Sequence, residues 1–467
     1  MKFISGKLIA AGILSLVLFV GIFMLLQQDG IYQSTLGKIS SNYVRLKVDG
    51  VTEIQQAKAP YVTLESSRFQ NWDAEIYVCL KETMYANDGG CYTLVKGAFF
   101  PLFPLIWKLS HLSSLQISLL NNLLFILSLS ILVVMIFKSS EKDKLLVFLL
   151  LLTLPSTIIY YIPYTESLFL LTMTLAFVGY SQNKYLLYFI ACVGMGMLRP
   201  ASFFIVLALF SVDALCLISH RRIKLFISSI SKKTIPFFIG YALAILIQYS
   251  YTFSFRTMLD AQKYWEGSIG LINQISDWSL EGFGLNVFSI FFVALPALFF
   301  LAYSIIRKPA FLSHYNESTI SLENASKYFF LVSISYLSGI LVFILLTSGG
   351  NLHSFFRFTL TSPPFYIVIL YLLNLLLKQK SKIPIYLISV PLLLLIPFLM
   401  NTEYGGSRLN FPFLGMYLSL ISFAFIYFRN VFGSSLKWTI ALTIILLCTI
   451  WNTYLLNMFL NEAWIFT

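Results

Sequence analysis

Long apolar runs alternate with short polar segments along most of the chain. At about 1.5 Å of rise per residue, most of these runs are long enough to cross a bilayer core as helices. The pattern predicts an all-α, polytopic membrane bundle of about 13 spans. The run around 98–110 is too short and too rich in proline to count as another span. The predicted spans are 8–26, 115–137, 145–162, 165–180, 185–199, 202–218, 234–253, 285–306, 328–347, 357–377, 383–400, 411–428 and 438–460.

The composition supports the same class. The chain of 467 residues is 58% hydrophobic and 17% aromatic, only 11% of it is charged, and its mean hydropathy is +0.81. A soluble domain of this size cannot bury so much apolar surface, whereas a bilayer accepts it on the outside of a helix bundle. We therefore interpret the net charge of +12 as the basic excess of cytoplasmic loops. A lipid bilayer, and no nucleic acid, is expected among the partners.

The charges of the loops predict the orientation of the chain. With the N-terminus inside, the inner segments carry 19 Lys or Arg and five acids, while the outer segments carry 13 and fifteen. Seven of the outer basic residues lie in one long loop, 28–97, so the short outer loops are poor in positive charge. This distribution follows the positive-inside rule. We expect the long first loop to contain short helices and to face the non-cytoplasmic side.

The polar clusters that suggest chemistry all fall on this predicted outer side. The inner loops are basic connectors, and the sequence has no glycine-rich loop for the phosphates of a soluble nucleotide. A reaction on the outer side must use a substrate that is already there or one that is carried by lipid. The clusters are Trp72-Asp73, 164–167, Arg199, 256–266, 353–357 and 401–408.

Asp73 and two arginines suggest transfer of a group from a phosphate to a hydroxyl. Arg199 and Arg357 lie at the outer ends of apolar helices, where a cation is costly unless it meets an anion. Asp73 is predicted to accept the hydroxyl proton as general base, and the guanidinium groups are predicted to stabilise the phosphate. We expect no metal and no cofactor, because the arginines supply the positive charge and the histidines are scattered.

Each of these residues also has a purely structural interpretation. Trp72 is then an interfacial anchor, and Glu75 is a solvated loop acid. Isolated arginines extend toward lipid headgroups. Glu166 is also well placed to face the positive end of a helix. The residues alone leave these alternatives open.

Six segments occur in the order and with the spacing of a known family. On these motifs the chain resembles, over roughly residues 65 to 370, the PIG-V-type mannosyltransferases, which are multi-pass glycosyltransferases of the GT-C superfamily. It departs from the family by lacking Gly-Tyr shortly after W-D and by having a long loop 28–68, and both departures affect the acceptor pocket. The segments are NWDAEIY (71–77), AFFPLFPLIWK (98–108), LPSTIIYYIPYTESLFLL (154–171), GMLRPAS (196–202), AQKYW (261–265) and SFFRFTLTSPPFY (354–366).

The resemblance implies a GT-C-like fold and a polyprenyl- or dolichyl-phosphate donor of mannose or a related hexose. It implies inverting transfer on the non-cytoplasmic side, with a glycolipid, glycan or protein as the acceptor. Asp73 matches the family's essential acid, and Arg199 and Arg357 match arginines that we assign to the donor phosphate. The sugar and acceptor pocket is predicted to contain Trp72, Glu75, Tyr164, Glu166, Gln262 and Trp265.

These expectations define a single integral-membrane domain, 1–467. Within it, 28–97 forms the catalytic loop, 98–370 the family-like module and 371–467 the C-terminal helices. We expect a bacterial inner (cell) membrane with the site facing the exterior, or alternatively the endoplasmic reticulum membrane with a luminal site. In either compartment Cys79 and Cys91, which share the outer loop, are able to form a disulfide.

Two other classes of protein remain as alternatives. An outer-face polysaccharide polymerase or ligase also binds polyprenyl-linked substrates through arginines, but it typically has its large outer loop late in the chain. A transporter of lipid-linked glycans is expected to have charges at mid-membrane depth and inverted repeats. Asp213 is the main candidate for a buried acid of that kind, and it lies near a predicted inner end.

Overall fold

The computed structural model of the protein is a bundle of α-helices with one small β-hairpin. It describes residues 4–28, 43–48, 51–56, 62–86, 95–217, 223–263, 289–307, 321–347, 355–379 and 434–462.

Fifteen α-helices lie within the described residues. Three 3₁₀ helices, Ser66–Phe69, Lys96–Ala98 and Pro155–Tyr161, and a π-helix, Ser289–Ala294, complete the helical part. The α-helices are α1 (Gly6–Gln28), α2 (Asp73–Thr83), α3 (Leu102–Ser110), α4 (Ser114–Ile136), α5 (Glu141–Leu152), α6 (Glu166–Ser181), α7 (Tyr185–Gly196), α8 (Ser202–Leu217), α9 (Ile223–Thr252), α10 (Thr257–Lys263), α11 (Leu295–Arg307), α12 (Leu322–Thr347), α13 (Phe355–Phe358), α14 (Pro363–Gln379) and α15 (Ser434–Leu460).

The hairpin lies in the predicted first loop and departs from the all-α expectation. Strands β1 (Tyr43–Val48) and β2 (Val51–Gln56) pair antiparallel, from Tyr43 opposite Gln56 to Val48 opposite Val51. The sequence between them is Asp49-Gly50, a pair favoured in two-residue hairpin turns, and both strands contain β-branched residues. The other described elements between residues 62 and 86 are the 3₁₀ helix Ser66–Phe69 and helix α2.

The helices agree in position with the predicted apolar runs, but the structure does not confirm the predicted number of about 13 spans. Eleven of the thirteen predicted runs coincide with described helices, and 383–400 and 411–428 lie outside the described residues. Five described helices are long and apolar enough to cross a membrane: α1, α4, α9, α12 and α15. The bent pair α5 and Pro155–Tyr161 makes a sixth if it counts as one span. The other five predicted spans within the described residues correspond to shorter apolar helices.

The bent pair is a break inside an apolar segment, and two asparagines satisfy its backbone. Helix α5 and the 3₁₀ helix after it meet at an angle of 76°. Nδ2 of Asn452, in α15, donates to the carbonyls of Thr153 and Leu154 at 3.0 and 3.1 Å. Nδ2 of Asn121, in α4, donates to two carbonyls at the other end of the break, those of Ile162 and Tyr164. Irregular backbone is tolerated in a membrane only when such partners replace the missing helical bonds.

A buried ionic cluster joins α8, α9 and α12. Asp213, which is fully buried, binds Nζ of Lys233 at 2.8 Å and accepts hydrogen bonds from the hydroxyls of Ser229 and Tyr328. The Asp213 charge is therefore paired, and its side chain is fixed in place. The ring of Tyr328 stacks on Tyr180, near the last residue of α6, with centroids 5.2 Å apart.

A second buried ion pair, between Asp143 and Lys437 at 2.9 Å, joins the first turns of α5 and α15. All the charged residues of these two clusters lie within or close to predicted inner loops, so the structure joins predicted inner ends to one another. Glu166 is the first residue of α6 and lies about 20 Å from the Tyr180 end of that helix, given about 1.5 Å per residue. The opposite end of the bundle is therefore formed by the predicted outer ends.

Helices α7 and α9 cross at two glycines, which lets their backbones approach closely. A Cβ atom added to Gly196 would lie 2.5 Å from the carbonyl oxygen of Phe237 and 3.1 Å from Cα of Gly240. Small residues of this kind allow close packing of helices in membranes. The crossing fixes the end of α7, which leads directly to Arg199.

We expect Gly196→Ala to destabilise the fold by about 1–3 kcal/mol, because the methyl group overpacks the crossing. The matched control is Gly21→Ala, because a Cβ atom there meets nothing within 4 Å. The control should be neutral, or more stable by up to about 1 kcal/mol, because alanine favours the helix. Thermal unfolding in detergent, followed by tryptophan fluorescence, measures both variants. Equal unfolding midpoints for the two would contradict the close crossing.

Candidate functional site

Four charged side chains from separate parts of the chain meet at the end of the bundle where α2 and α6 begin. They are Asp73, Glu166, Arg199 and Arg357, and we call them the charge cluster. Nη1 of Arg357 donates to Oδ2 of Asp73 at 2.7 Å, while its Nε and Nη2 donate to Oε1 of Glu166 at 3.3 and 3.1 Å. Nη1 of Arg199 lies 3.0 Å from the same Oε1. The predicted outer residues therefore converge through the tertiary fold.

Asp73 is the first residue of α2, and the turn before it is strained. Trp72 has φ 59° and ψ −129°, a conformation that a bulky residue rarely adopts. Such strain persists only where the surroundings hold it, and it is concentrated at functional sites. Nδ2 of Asn71 donates to the carbonyl of Phe459 in α15 at 2.7 Å and so ties this turn to the last described helix. With 19% of its side chain exposed, Asp73 is the most accessible member of the charge cluster.

Glu166 is the first residue of α6, and its side chain is only 1% exposed. The N-terminus of a helix carries a partial positive charge, which favours a carboxylate there. Asn121 holds the two carbonyls just before it, as described for the broken span, so the start of α6 is fixed to α4. The Glu166 carboxylate is therefore held rigidly between two arginines.

Both guanidinium groups rest on aromatic rings. Cζ of Arg199 lies 5.8 Å from the ring centroid of Phe169 and 5.6 Å from that of Phe358. Cζ of Arg357 lies 4.8 Å from the ring centroid of Tyr164. Cation–π contacts of this kind stabilise a guanidinium that has lost its water. Each guanidinium group is thus held against at least one aromatic ring.

The charge cluster combines two carboxylates with two guanidinium groups in a largely buried site. Buried charges are stable only when they are paired, and loss of one partner typically costs about 3–5 kcal/mol.

Tyr77 lies next to the cluster and is 5% exposed. Burial raises the pKa of the Tyr77 phenol, and the carboxylates of Glu166 and Asp73 raise it further. The phenol therefore remains protonated and keeps its hydrogen-bond donor.

Most of the predicted site residues that the structure describes belong to this region. Tyr164 contacts Arg357, and Trp72 is half-buried against the hydrophobic core beside Asp73. Glu75 lies on the exposed face of α2 and is not a member of the charge cluster. Two further predicted residues cannot be placed in the site. Gln262 lies in α10, but its side chain is outside what the structure describes, and Trp265 lies outside the described residues.

The sequence analysis missed several residues of this region. Tyr77 lies four residues after Asp73, a spacing that places both on one face of α2 and that was a usable signal. The rings of Phe99 and Phe103 pack on Tyr77 at 5.1 and 5.0 Å, so the FFPLFP segment supports the site. Asn71 and Tyr336 were also missed. Tyr336, in α12, is buried close enough to Arg199 and Glu166 to interact with their charges.

The loop that carries Asp73 is also held covalently. Cys79, in α2, is disulfide-bonded. Cys91, the predicted partner, lies outside the described residues. Cys192 and Cys448 are buried and free.

Comparison of the chain with protein families, with curated proteins and with solved structures finds no match. The function is therefore inferred from the charge cluster and from the sequence motifs that contain its residues.

We expect Glu166→Gln to destabilise the protein by roughly 3–5 kcal/mol, because Arg199 then loses its ion pair and Arg357 keeps only Asp73. Arg199→Met should cost less in the Glu166→Gln background than in the wild type, because its partner is already gone. The measurement is a double-mutant cycle on thermal unfolding in detergent. Glu75→Gln, an exposed acid near the same site, is the control and should stay within about 0.5 kcal/mol of wild type. Additive effects of the two cluster variants would contradict a shared ion pair.

The disulfide of Cys79 can be counted by thiol labelling. The chain has five cysteines, so one intramolecular disulfide leaves three thiols for maleimide in the denatured chain before reduction, and five afterwards. Cys91→Ala should expose four thiols both before and after reduction if Cys91 is the partner. Five reactive thiols in the unreduced wild-type chain would show that the bond is absent.

Proposed function

We propose that the protein is a membrane-embedded glycosyltransferase. It moves mannose or a related hexose from a polyprenyl- or dolichyl-phosphate sugar to an acceptor hydroxyl on the non-cytoplasmic face. The observation that carries the proposal is the charge cluster, in which the partly exposed carboxylate of Asp73 lies beside two largely buried guanidinium groups. Transfer of a sugar from a phosphate requires a base for the acceptor and a cation for the leaving group.

The reaction is a single displacement at the anomeric carbon. The acceptor hydroxyl oxygen forms a bond to this carbon while its proton passes to the carboxylate of Asp73. The bond between the anomeric carbon and the phosphate oxygen breaks, and its electron pair remains on the lipid phosphate. The configuration at the anomeric carbon inverts. The guanidinium groups stabilise the phosphate as its charge increases, and this electrostatic contribution is typically the largest one in such a step.

The origin of the four charges supports the family proposal. Asp73 belongs to the segment 71–77, Glu166 to 154–171, Arg199 to 196–202 and Arg357 to 354–366. Each member of the charge cluster thus comes from a different motif of the resemblance to the PIG-V-type mannosyltransferases. A chance match of scattered motifs would not be expected to bring one charged residue from each of four motifs into contact.

The helices support a donor carried by lipid. Many large apolar side chains of α1 and α9 are exposed on the surface of the bundle, among them Leu14, Val17, Leu25, Ile227 and Phe238. Such a surface suits the interior of a bilayer, where a polyprenyl chain also resides. A lipid-linked donor can therefore reach the charge cluster from within the membrane, at the end of the bundle where the polar residues lie.

Two observations support the non-cytoplasmic side. The loop charges follow the positive-inside rule when the charge cluster faces outward. The disulfide of Cys79 suits an oxidising compartment. Both fit the exterior of a bacterial inner membrane and the lumen of the endoplasmic reticulum, with a glycolipid, glycan or protein as the acceptor.

We expect Asp73→Asn to lower the rate of sugar transfer by roughly 10²–10⁴-fold, because the amide cannot take the acceptor proton. The assay uses membrane vesicles with a labelled lipid-phosphate sugar and scores transfer separately from translocation. Glu82→Gln, an exposed acid on the same helix, is the matched control and should retain wild-type transfer. A folded Asp73→Asn variant with full activity would refute the assignment, and translocation without transfer would favour a transporter.

A further inference from the structure

We propose that the two arginines of the charge cluster have different roles, and this inference rests on the proposed function. Arg199 binds the anionic phosphate of the lipid donor, whereas Arg357 is a positioning residue. Arg357 is anchored by Glu166, and it holds the carboxylate of Asp73 in the orientation that faces the acceptor. The sequence analysis assigned both arginines to the donor phosphate. Their different contacts in the structure indicate different roles.

Arg357 is occupied by carboxylates on two sides. Its Nη1 donates to Asp73, and its Nε and Nη2 both donate to Oε1 of Glu166. Three nitrogens of the guanidinium are therefore engaged, and Tyr164 covers one face. Only 12% of the side chain is exposed. A phosphate could bind here only by displacing one of the two carboxylates, so Arg357 is poorly suited to receive the donor.

Arg199 makes only one ion pair within the described part of the chain. Its Nη1 lies 3.0 Å from Oε1 of Glu166, and its Cζ lies over the rings of Phe169 and Phe358. A guanidinium has five N–H donors, and those on Nε and Nη2 have no partner among the described residues. The side chain is 11% exposed, so these donors remain accessible to an incoming anion. They match the paired oxygens of a phosphate.

One carboxylate oxygen of Asp73 is available to an acceptor, which fits the different roles of the two arginines. Its Oδ2 accepts from Arg357, while its Oδ1 accepts no hydrogen bond from any described residue. Because Arg357 fixes one oxygen, the other is held in a constant direction, which suits a general base that must meet an acceptor hydroxyl. The acceptor hydroxyl and the donor phosphate would therefore bind to separate groups, Asp73 and Arg199.

Glu166 connects the two roles. Its Oε1 receives contacts from both arginines, and its Oε2 has no hydrogen-bond partner in the described structure. One fixed carboxylate therefore sets the distance between the anion-binding guanidinium and the positioning guanidinium. We accordingly treat Glu166 as the anchor of the site and not as a second base.

Binding separates the roles without any need for turnover. The probes are a polyprenyl phosphate, the corresponding polyprenol and inorganic phosphate, tested at matched ionic strength by thermal shift of the protein in detergent. We expect the polyprenyl phosphate to bind the wild type and the polyprenol to bind at least 10-fold more weakly. Arg199→Lys should weaken polyprenyl phosphate binding at least 10-fold, and Arg357→Lys by less than 3-fold. Binding of inorganic phosphate alone with equal affinity would show that the site takes free phosphate and would overturn the lipid assignment.

Kinetics with the sugar donor provide the second readout. Arg357→Lys should lower kcat at least 10-fold with little change in KM, because a lysine cannot hold both carboxylates. Arg199→Lys should chiefly raise the KM for the donor. Lys108→Gln, which removes a cation elsewhere on the same side of the bundle, is the control and should leave both constants unchanged. Equal effects of the two arginine variants on KM would overturn the division of roles.

A milder variant covers the case in which these substitutions prevent folding. Phe169→Leu removes a ring from the face of Arg199 and leaves every charge in place. We expect polyprenyl phosphate binding about 3-fold weaker and kcat unchanged. A fall in kcat without a change in binding would contradict the assignment. If the wild type binds the polyprenyl phosphate but transfers no sugar, the proposed function fails while the anion site stands.

Discussion

The site depends on one buried carboxylate that holds two guanidinium groups. Glu166 is almost completely buried at the start of α6, and the same oxygen contacts both Arg199 and Arg357. In a low-dielectric interior each of these charges is stable only because the others are present. The interaction therefore serves stability and geometry together: the contacts that stabilise the charges also fix the positions of the proposed base, Asp73, and of the proposed anion-binding group, Arg199. Activity and stability should be difficult to separate by mutation here.

The rest of the bundle brings these charges together by constraining helix ends. The close crossing at Gly196 sets where α7 stops, and the broken span after α5 sets where α6 starts. Two asparagines on neighbouring helices satisfy the carbonyls of that break, so an irregular segment is as well ordered as a regular one. The ionic clusters around Asp213 and Asp143 fix the opposite end of the same helices. Ionic contacts thus join the helices at both ends of the bundle, and the charge cluster lies at one of these ends.

The sequence predicted much of this arrangement, and the limits have physical causes. Apolar runs identify helices because a membrane imposes one requirement on every span. Asp73, Glu166, Arg199 and Arg357 were each identified from the sequence as candidate site residues. Their pairing was not, because contacts between residues as much as 284 positions apart depend on helix packing. The hairpin was missed although the sequence has Asp49-Gly50 between the two strands, since the composition favoured helices throughout. Tyr77 was missed because it lies among apolar residues that resemble ordinary packing residues.

The hydrogen bond between Asn71 and Phe459 has a consequence for biosynthesis. It links residues 388 positions apart and joins the turn before Asp73 to the last described helix. During synthesis from the N-terminus, α2 is made early, whereas α15, the last described helix, is made much later. The contact between them cannot form before α15 has been made. The carboxylate of Asp73 reaches its final orientation only when the whole bundle has closed. An unfinished chain that lacks α15 would therefore lack the contact that holds the turn before Asp73.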